Sequence, residues 1–182
     1  MSLLKVCNSE TSTINKKFTN TSGTDTVTDL CGDVCGTVSV RSDVKPIIKK
    51  TNNEKLPFKL ANNVSFKVVY KDNNKNKIIY KIPVKKGYKW DGASIPSCFQ
   101  WLAGKNNEPE YAVASMVHDV MCQKHSVIGH DRRLSSNVFK TLLKQNGTPS
   151  FGANIMSWCV DAYQYLFSNW KSPIRKYVKA VA

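Results

Sequence analysis

Alternating apolar and polar positions distinguish the middle of the chain. Residues 66–70 and 77–82 are rich in β-branched and aromatic residues, and the polar run 71–76 separates them. This pattern predicts a β-hairpin. Residues 84–90 predict a short third strand, which leads into the sequence Asp91-Gly-Ala-Ser-Ile-Pro96.

Beyond residue 97 the apolar positions recur with the helical period. The spacing predicts three helices, over about 107–125, 131–145 and 151–170. The third helix has the widest apolar face and is therefore expected to cross the core. That face comprises Phe151, Ile155, Cys159, Ala162, Tyr163, Leu166, Phe167 and Trp170.

The N-terminal part has a different composition. Residues 8–54 are rich in Ser, Thr, Asn, Asp and Lys and have no sustained apolar period, so residues 1–55 are predicted to form an extended arm. Val and Thr alternation between residues 24 and 40 suits a strand added to a partner. Residues 56–182 are predicted to form one α+β domain, in which a hairpin and a short strand pack against three helices.

The charge of the chain is strongly positive. Its 27 Lys and Arg and 13 Asp and Glu give +14, and residues 1–55 hold eight basic and six acidic groups. The predicted domain therefore carries most of the excess, which favours polyanionic partners, among them nucleic acid. No apolar run is long enough to span a bilayer, and no export signal is recognisable, so we expect no membrane span.

The six cysteines are scattered along the chain and are expected to be reduced. Cys31 and Cys35 have the wrong spacing for a redox pair, and no His cluster completes a zinc site. We therefore expect no cofactor, the alternative being one divalent metal ion bound elsewhere.

The first helix carries a His-Asp pair among apolar residues. On a helical wheel His118 and Asp119 project to opposite flanks of an apolar arc, and the helix is predicted to be buried on most sides. A buried carboxylate requires a partner. The candidates are His118 through a third group, Arg132 or Arg133, backbone amides of residues 92–95, or a divalent cation.

The segment Asp91–Pro96 combines small residues with a proline. Its simplest role is a rigid corner between sheet and helix. In the alternative, Asp91 or Ser94 faces His118 in a cleft, where His118 acts as base and an Asp orients it. The candidate catalytic residues are thus His118, Asp119, Asp91 and Ser94, and a metal, if bound, would use His118, Asp119 and Asp91. His125 and His130 could join such a site but are expected to be solvated.

Three segments in order carry a resemblance: Gly87-Tyr-Lys-Trp-Asp-Gly-Ala-Ser-Ile-Pro96, Tyr111-Ala-Val-Ala-Ser-Met-Val-His-Asp119, and residues 132–139. Over residues 56–170 the chain resembles the domain-of-unknown-function 1353 family. The resemblance implies occurrence in bacteriophage genomes and the same order of corner, His-Asp helix and Arg-led helix. It also implies an Ala-Asp pair where this chain has Ser135-Ser136, so a metal ligand is lost if that Asp was one.

These observations lead to three functional hypotheses. The leading one is a bacteriophage virion structural or tail-associated protein, made in the host cytoplasm, that docks on other virion proteins through residues 8–54. The alternative is a small His/Asp-dependent hydrolase of cell-wall or peptide type, with or without a metal. The third is a nucleic-acid-binding protein that uses the basic face.

Overall fold

In a computed structural model, the described residues are 23–28, 34–53, 55–74, 76–92, 109–124, 130 and 132–167. The strands are β1 (Gly23–Thr28), β2 (Val34–Ser42), β3 (Ile48–Lys50), β4 (Phe58–Leu60), β5 (Val64–Asp72), β6 (Lys77–Val84) and β7 (Lys89–Trp90). The helices are α1 (Pro109–Gln123), α2 (Arg132–Gln145) and α3 (Ser150–Phe167). These elements confirm the predicted α+β fold with antiparallel sheets and three helices.

The larger sheet has four antiparallel strands in the order β1-β2-β5-β6. The predicted hairpin is present as β5 and β6. Its connection is closed by the Asp72 carboxylate, which accepts hydrogen bonds from the backbone N–H (2.7 Å) and the side-chain amide (2.8 Å) of Asn76. Aspartate commonly stabilises turns in this way.

Alternate residues of β5 enter the core, because side chains change face at each step along a strand. Phe66, Val68 and Tyr70 are buried, whereas Lys67 and Lys71 are exposed. α1 and α2 cover the inner face, and α3 packs against α2. Residues of both sheets and of these helices belong to one buried cluster, so the described part of the chain shares one core.

The smaller sheet has three antiparallel strands in the order β3-β4-β7. The strand predicted within residues 84–90 is present as β7, but it pairs with β4 rather than with the hairpin. The Trp90 ring lies 5.5 Å from the ring of Phe58 and 6.0 Å from that of Tyr88. This aromatic packing fixes the chain immediately before Asp91.

The prediction of an arm over residues 1–55 is wrong for the described part of that segment. Residues 23–28 and 34–50 supply β1, β2 and β3. β2 is a central strand in which Val38 and Val40 are buried, because its apolar alternation pairs with β5 of the same chain rather than with another protein. Residues 1–22, 29–33 and 54 of the predicted arm lie outside the described residues.

The first two helices follow the predicted pattern closely. α1 begins at Pro109, and α2 ends at Gln145 before Gly147, whose φ is 95°. Thr148 N–H donates to the Leu143 carbonyl oxygen (3.0 Å) across this glycine, as at many helix C-termini. No helix within the described ranges is long and apolar enough to cross a membrane.

The face of the third helix that was expected in the core is only partly buried: Cys159 is buried, whereas several larger residues of that face are exposed. Ala153, Met156 and Val160 are buried. Phe151 and Leu166, on the opposite side, are 69% and 67% exposed. The sequence prediction did not include Ala153, Met156 or Val160, because only the packing against α2 decides which side of an apolar helix is covered.

Candidate functional site

One hydrogen bond joins the end of β7 to α1. The indole Nε1 of buried Trp90 donates to Ser115 Oγ at 3.1 Å. Asp91 then turns outward and is exposed, whereas Gly92 is buried and has a φ of 96°. This left-handed conformation favours glycine, which explains the Asp-Gly order at the corner.

A cavity of about 40 Å³ lies between this corner and the three helices. It has room for a water molecule, which needs on the order of 10–15 Å³ by the same measure. Its lining residues are Gly92, Ser115, His118, Asp119, Phe139, Val160, Tyr163 and Gln164. The expectation that His118 and Asp119 project to opposite flanks of the helix is therefore corrected, since both line the same cavity.

His118 is buried with 5% of its surface exposed, and its ring lies 5.4 Å from that of Phe139. Its Nδ1 is 3.8 Å from Asp119 Oδ1, and its Nε2 is 3.6 Å from Cys122 Sγ. Burial lowers the pKa of His118, but the adjacent Asp119 carboxylate and the Cys122 side chain outweigh burial and raise the pKa to about 9. The imidazole is therefore protonated at neutral pH.

Asp119 is partly buried, with 24% of its side chain exposed. Burial raises the pKa of this carboxyl group, the His118 side chain lowers it, and the charge of Asp91 raises it further, with a net increase. The partner that the sequence required is His118, in direct contact rather than through a third group. The charge of Asp91 acts on Asp119, but Asp91 is exposed and does not line the cavity, so the expected placement of Asp91 opposite His118 stays a prediction.

Two residues near the site were not among the sequence candidates. Cys122 follows His118 by four residues on α1, a spacing at which helical side chains meet, so the helical wheel could have identified it. Tyr88 reaches the site from the strand side, and burial, with the nearby charge of Asp119, raises the pKa of its hydroxyl to about 12. No sequence pattern linked Tyr88 to α1, because the two meet only through the fold.

Arg132, a candidate partner for Asp119, pairs with Asp161 of α3 instead. The Arg132 guanidinium forms an ion pair with the Asp161 carboxylate and also donates to the Asp161 carbonyl oxygen at 2.6 Å. The Ser136 hydroxyl donates to Asp161 Oδ1 (3.1 Å), and the Ser157 hydroxyl donates to the Ser136 carbonyl oxygen (2.8 Å). The serine at position 136 therefore belongs to a polar network that joins α2 to α3.

The remaining candidates are distributed as follows. Ser94 and His125 lie outside the described residues. His130 was expected to be solvated, but it is buried. Its ring and that of Tyr80 are in an edge-to-face arrangement with centroids 6.1 Å apart. Within the described ranges, no three His, Cys, Asp or Glu side chains are grouped closely enough to hold a metal ion.

A second candidate site lies on the outer, solvent-facing sides of the two sheets. Cationic residues stand directly opposite one another on neighbouring strands, in three sets that we call the cation rows. All eight residues are exposed. The rows are Arg41–Lys67–Lys81 and Lys71–Lys77 on the larger sheet and Lys49–Lys59–Lys89 on the smaller sheet.

The cation rows are electrostatically unfavourable in the free protein. Like charges directly opposite on adjacent strands repel and destabilise a sheet. The described ion pairs, His118–Asp119 and Arg132–Asp161, involve none of the eight cations. Five cross-strand pairs of like charge therefore face solvent, an arrangement that an anionic partner would stabilise.

Comparison with known proteins identifies the family. Residues 62–160 match the model of a protein family described as "Protein of unknown function (DUF1353)". Because the match covers more than half of the chain, the chain belongs to this family. The matched region extends from the end of β4 to α3 and includes the Asp91 corner and the His118–Asp119 pair.

The chain is also similar to the uncharacterized protein y4jT of Sinorhizobium fredii (strain NBRC 101917 / NGR234). The two are 37% identical over 83 residues, which is 46% of this chain and 24% of y4jT. The similarity thus spans about a quarter of that relative's length. No solved structure matches this chain significantly.

Proposed function

We propose that the protein binds nucleic acid through the cation rows of its larger sheet. The observation that carries the proposal is the cross-strand registry of Arg41, Lys67 and Lys81 and of Lys71 and Lys77, with no acidic residue interspersed. Such pairs of like charge reduce the stability of the free sheet, and a bound polyanion would relieve their repulsion. Lys and Arg that neutralise phosphates supply most of non-specific nucleic-acid affinity.

The spacing of the two rows on the larger sheet favours a duplex. Lys67 and Lys71 are four residues apart on β5, or about 13 Å at the strand rise of about 3.4 Å per residue. This separation is close to the width of about 12 Å of the B-DNA major groove, so each row is placed to contact one phosphate backbone. The apolar pair Val69 and Ile79 lies between the rows.

A single-stranded ligand is less well matched. Single-strand binders stack bases on aromatic side chains. The described outward positions of β2, β5 and β6 carry no aromatic residue, since Tyr70 and Tyr80 belong to the inner face. Recognition through these rows is therefore expected to be electrostatic and independent of base sequence.

Charge reversal at the centre of a row tests this proposal. Lys67→Glu is expected to weaken binding to a duplex of about 30 base pairs about tenfold and to reduce the slope of log affinity against log salt by about one. The measurement is fluorescence anisotropy at several salt concentrations. Unfolding by urea is expected to show a variant at least as stable as wild type, because the introduced carboxylate would lie between Arg41 and Lys81.

Lys45→Glu is the matched control, because it makes the same charge change at an exposed residue outside the rows. It is expected to weaken binding by less than Lys67→Glu. Equal losses in the two variants would mean that net charge alone attracts the duplex. Binding to anionic lipid vesicles without binding to the duplex would identify a membrane surface as the partner and reject the proposal.

A second candidate, a small His/Asp-dependent hydrolase, is favoured by the cavity that His118 and Asp119 share. With a pKa of about 9, His118 is suited to donate a proton to a leaving group rather than to act as the base. The base would then be the Asp119 carboxylate, whose pKa burial raises, accepting a proton from attacking water. The acid and base roles would thus fall on neighbouring residues of α1.

Peptidoglycan and peptide substrates test this candidate. His118→Asn is expected to lower hydrolysis at least about 100-fold, the usual contribution of a general acid, and wild-type activity should fall as pH rises through 9. His130→Asn, which alters a buried histidine that does not line the cavity, is the control. Absence of hydrolysis by wild type, or equal losses in both variants, would exclude the reaction.

The role in a bacteriophage virion, with docking through residues 8–54, stays a prediction. A sheet that binds nucleic acid is compatible with it. β2 and β3 of that segment are paired within the chain, so docking through the segment would have to use their outer sides or residues before β1.

A further inference from the structure

The outer face of α3 is apolar, and its large side chains are exposed from the first turn of the helix to the last. Phe151, Trp158 and Tyr165 recur every seven residues, with Ile155 and Ala162 between them. Spacings of four and three residues in alternation are typical of the seam between two paired helices. We call these residues, together with Leu166, the α3 seam.

The residues of the α3 seam carry no charge themselves, although the Arg132 guanidinium lies over the ring of Tyr165, 5.3 Å from its centroid. The single charged residue of α3 is Asp161, which is neutralised by Arg132 of α2. A helix that lies on a membrane surface typically carries Lys or Arg on its polar face, and α3 has neither. A partner with an uncharged apolar surface of the same length matches the seam better.

We propose that the α3 seam is a homodimer interface in which α3 of a second copy packs against it about a two-fold axis. In a two-fold interface the same surface must be complementary to itself. Trp158 lies midway between Phe151 and Tyr165, so an antiparallel pairing brings the two copies of Trp158 together and places aromatic rings at both ends. The large side chains thus have the same spacing whether α3 is followed from its N-terminus or from its C-terminus, as an antiparallel pair requires.

The exposed area is sufficient for a dimer. Phe151, Trp158, Tyr165 and Leu166 are 69%, 66%, 52% and 67% exposed. A large side chain has a surface of about 150–250 Å², so the exposed parts of these four side chains add up to about 500 Å² per copy. Two copies would bury about 1,000 Å², the lower end for a specific interface, so a dissociation constant of micromolar order is expected.

Sedimentation equilibrium of the full chain tests the proposal. The measurement is made in reducing buffer and at high salt, which removes bound nucleic acid. The average mass of wild type is expected to rise from that of the monomer towards that of the dimer as its concentration increases through the micromolar range. Trp158→Glu is expected to raise the dissociation constant at least about 30-fold, as for a central interface residue, while circular dichroism shows an intact fold because Trp158 is exposed.

Ile47→Glu is the control, because it places the same charge at a residue 43% exposed and distant in sequence from α3. This variant is expected to dimerise like wild type. A monomeric wild type at all concentrations would overturn the proposal, and a lower melting temperature of Trp158→Glu in that case would indicate that the seam is covered by the same chain. Equal dimerisation of Trp158→Glu and wild type would place the interface elsewhere and also overturn it.

Discussion

Replacement of Asp161 by alanine is expected to lower the free energy of unfolding by about 3 kcal/mol. The substitution removes the carboxylate that pairs with Arg132, whose side chain is only 7% exposed. Removing one partner of a buried ion pair is costly because the other charge stays in a low-dielectric environment. The Ser136 hydroxyl also loses its acceptor.

Urea unfolding of Asp161→Ala, Arg132→Met and the double variant measures this effect. The double variant is expected to be more stable than the sum of the single effects predicts, since it leaves no uncompensated charge. A loss below about 1 kcal/mol in Asp161→Ala, the level of a surface ion pair, would show that solvent screens the pair. Lys45→Ala, which removes an exposed charge that belongs to neither of the described ion pairs, is the comparison.

The stability of the fold is expected to fall between pH 6.5 and pH 9, and His118 is the reason. The pKa of His118 rises from 6.5 in the unfolded chain to about 9 in the folded chain. The folded state therefore binds the proton more tightly, and the resulting stabilisation is complete below pH 6.5 and is lost as pH rises through 9. The expected loss is on the order of 3 kcal/mol, because each pKa unit corresponds to about 1.4 kcal/mol.

Denaturant midpoints measured from about pH 6 to pH 10 test this expectation. His118→Asn is expected to remove the decline, because asparagine does not titrate in this range. His130→Asn should retain it. A wild-type midpoint that stays constant over this range would contradict protonation of His118 in the folded state at neutral pH.

The hairpin and the helices could be predicted because their signals are local. Strand alternation in β5 and β6 and the glycine after α2 each depend on residues close in sequence. The corner at Asp91 could also be predicted, because the sequence places a glycine there. Gly92 has a φ of 96°, a conformation that favours glycine. The contact between His118 and Cys122 could have been predicted as well, because side chains four residues apart on a helix lie next to each other.

The features that escaped prediction depend on long-range pairing. The Val38 and Val40 alternation indicated a strand, but nothing in the sequence assigns its partner, which is β5 in the same chain. The cation rows are equally hidden, because a shift of one residue in strand register would move Lys67 from Arg41 and Lys81 to other neighbours. The aromatic stack of Trp90 with Phe58 and Tyr88 likewise requires the second sheet.

The cation rows also bear on how long the protein persists in a cell. Repulsion among the rows lowers the stability of the free chain, and any polyanion that binds them stabilises the folded state by mass action. Proteases act on the unfolded fraction, which would be larger for unbound copies. Under the proposed binding of nucleic acid, copies in excess of that partner would be degraded first, and the amount of protein would follow the amount of partner without any dedicated regulator.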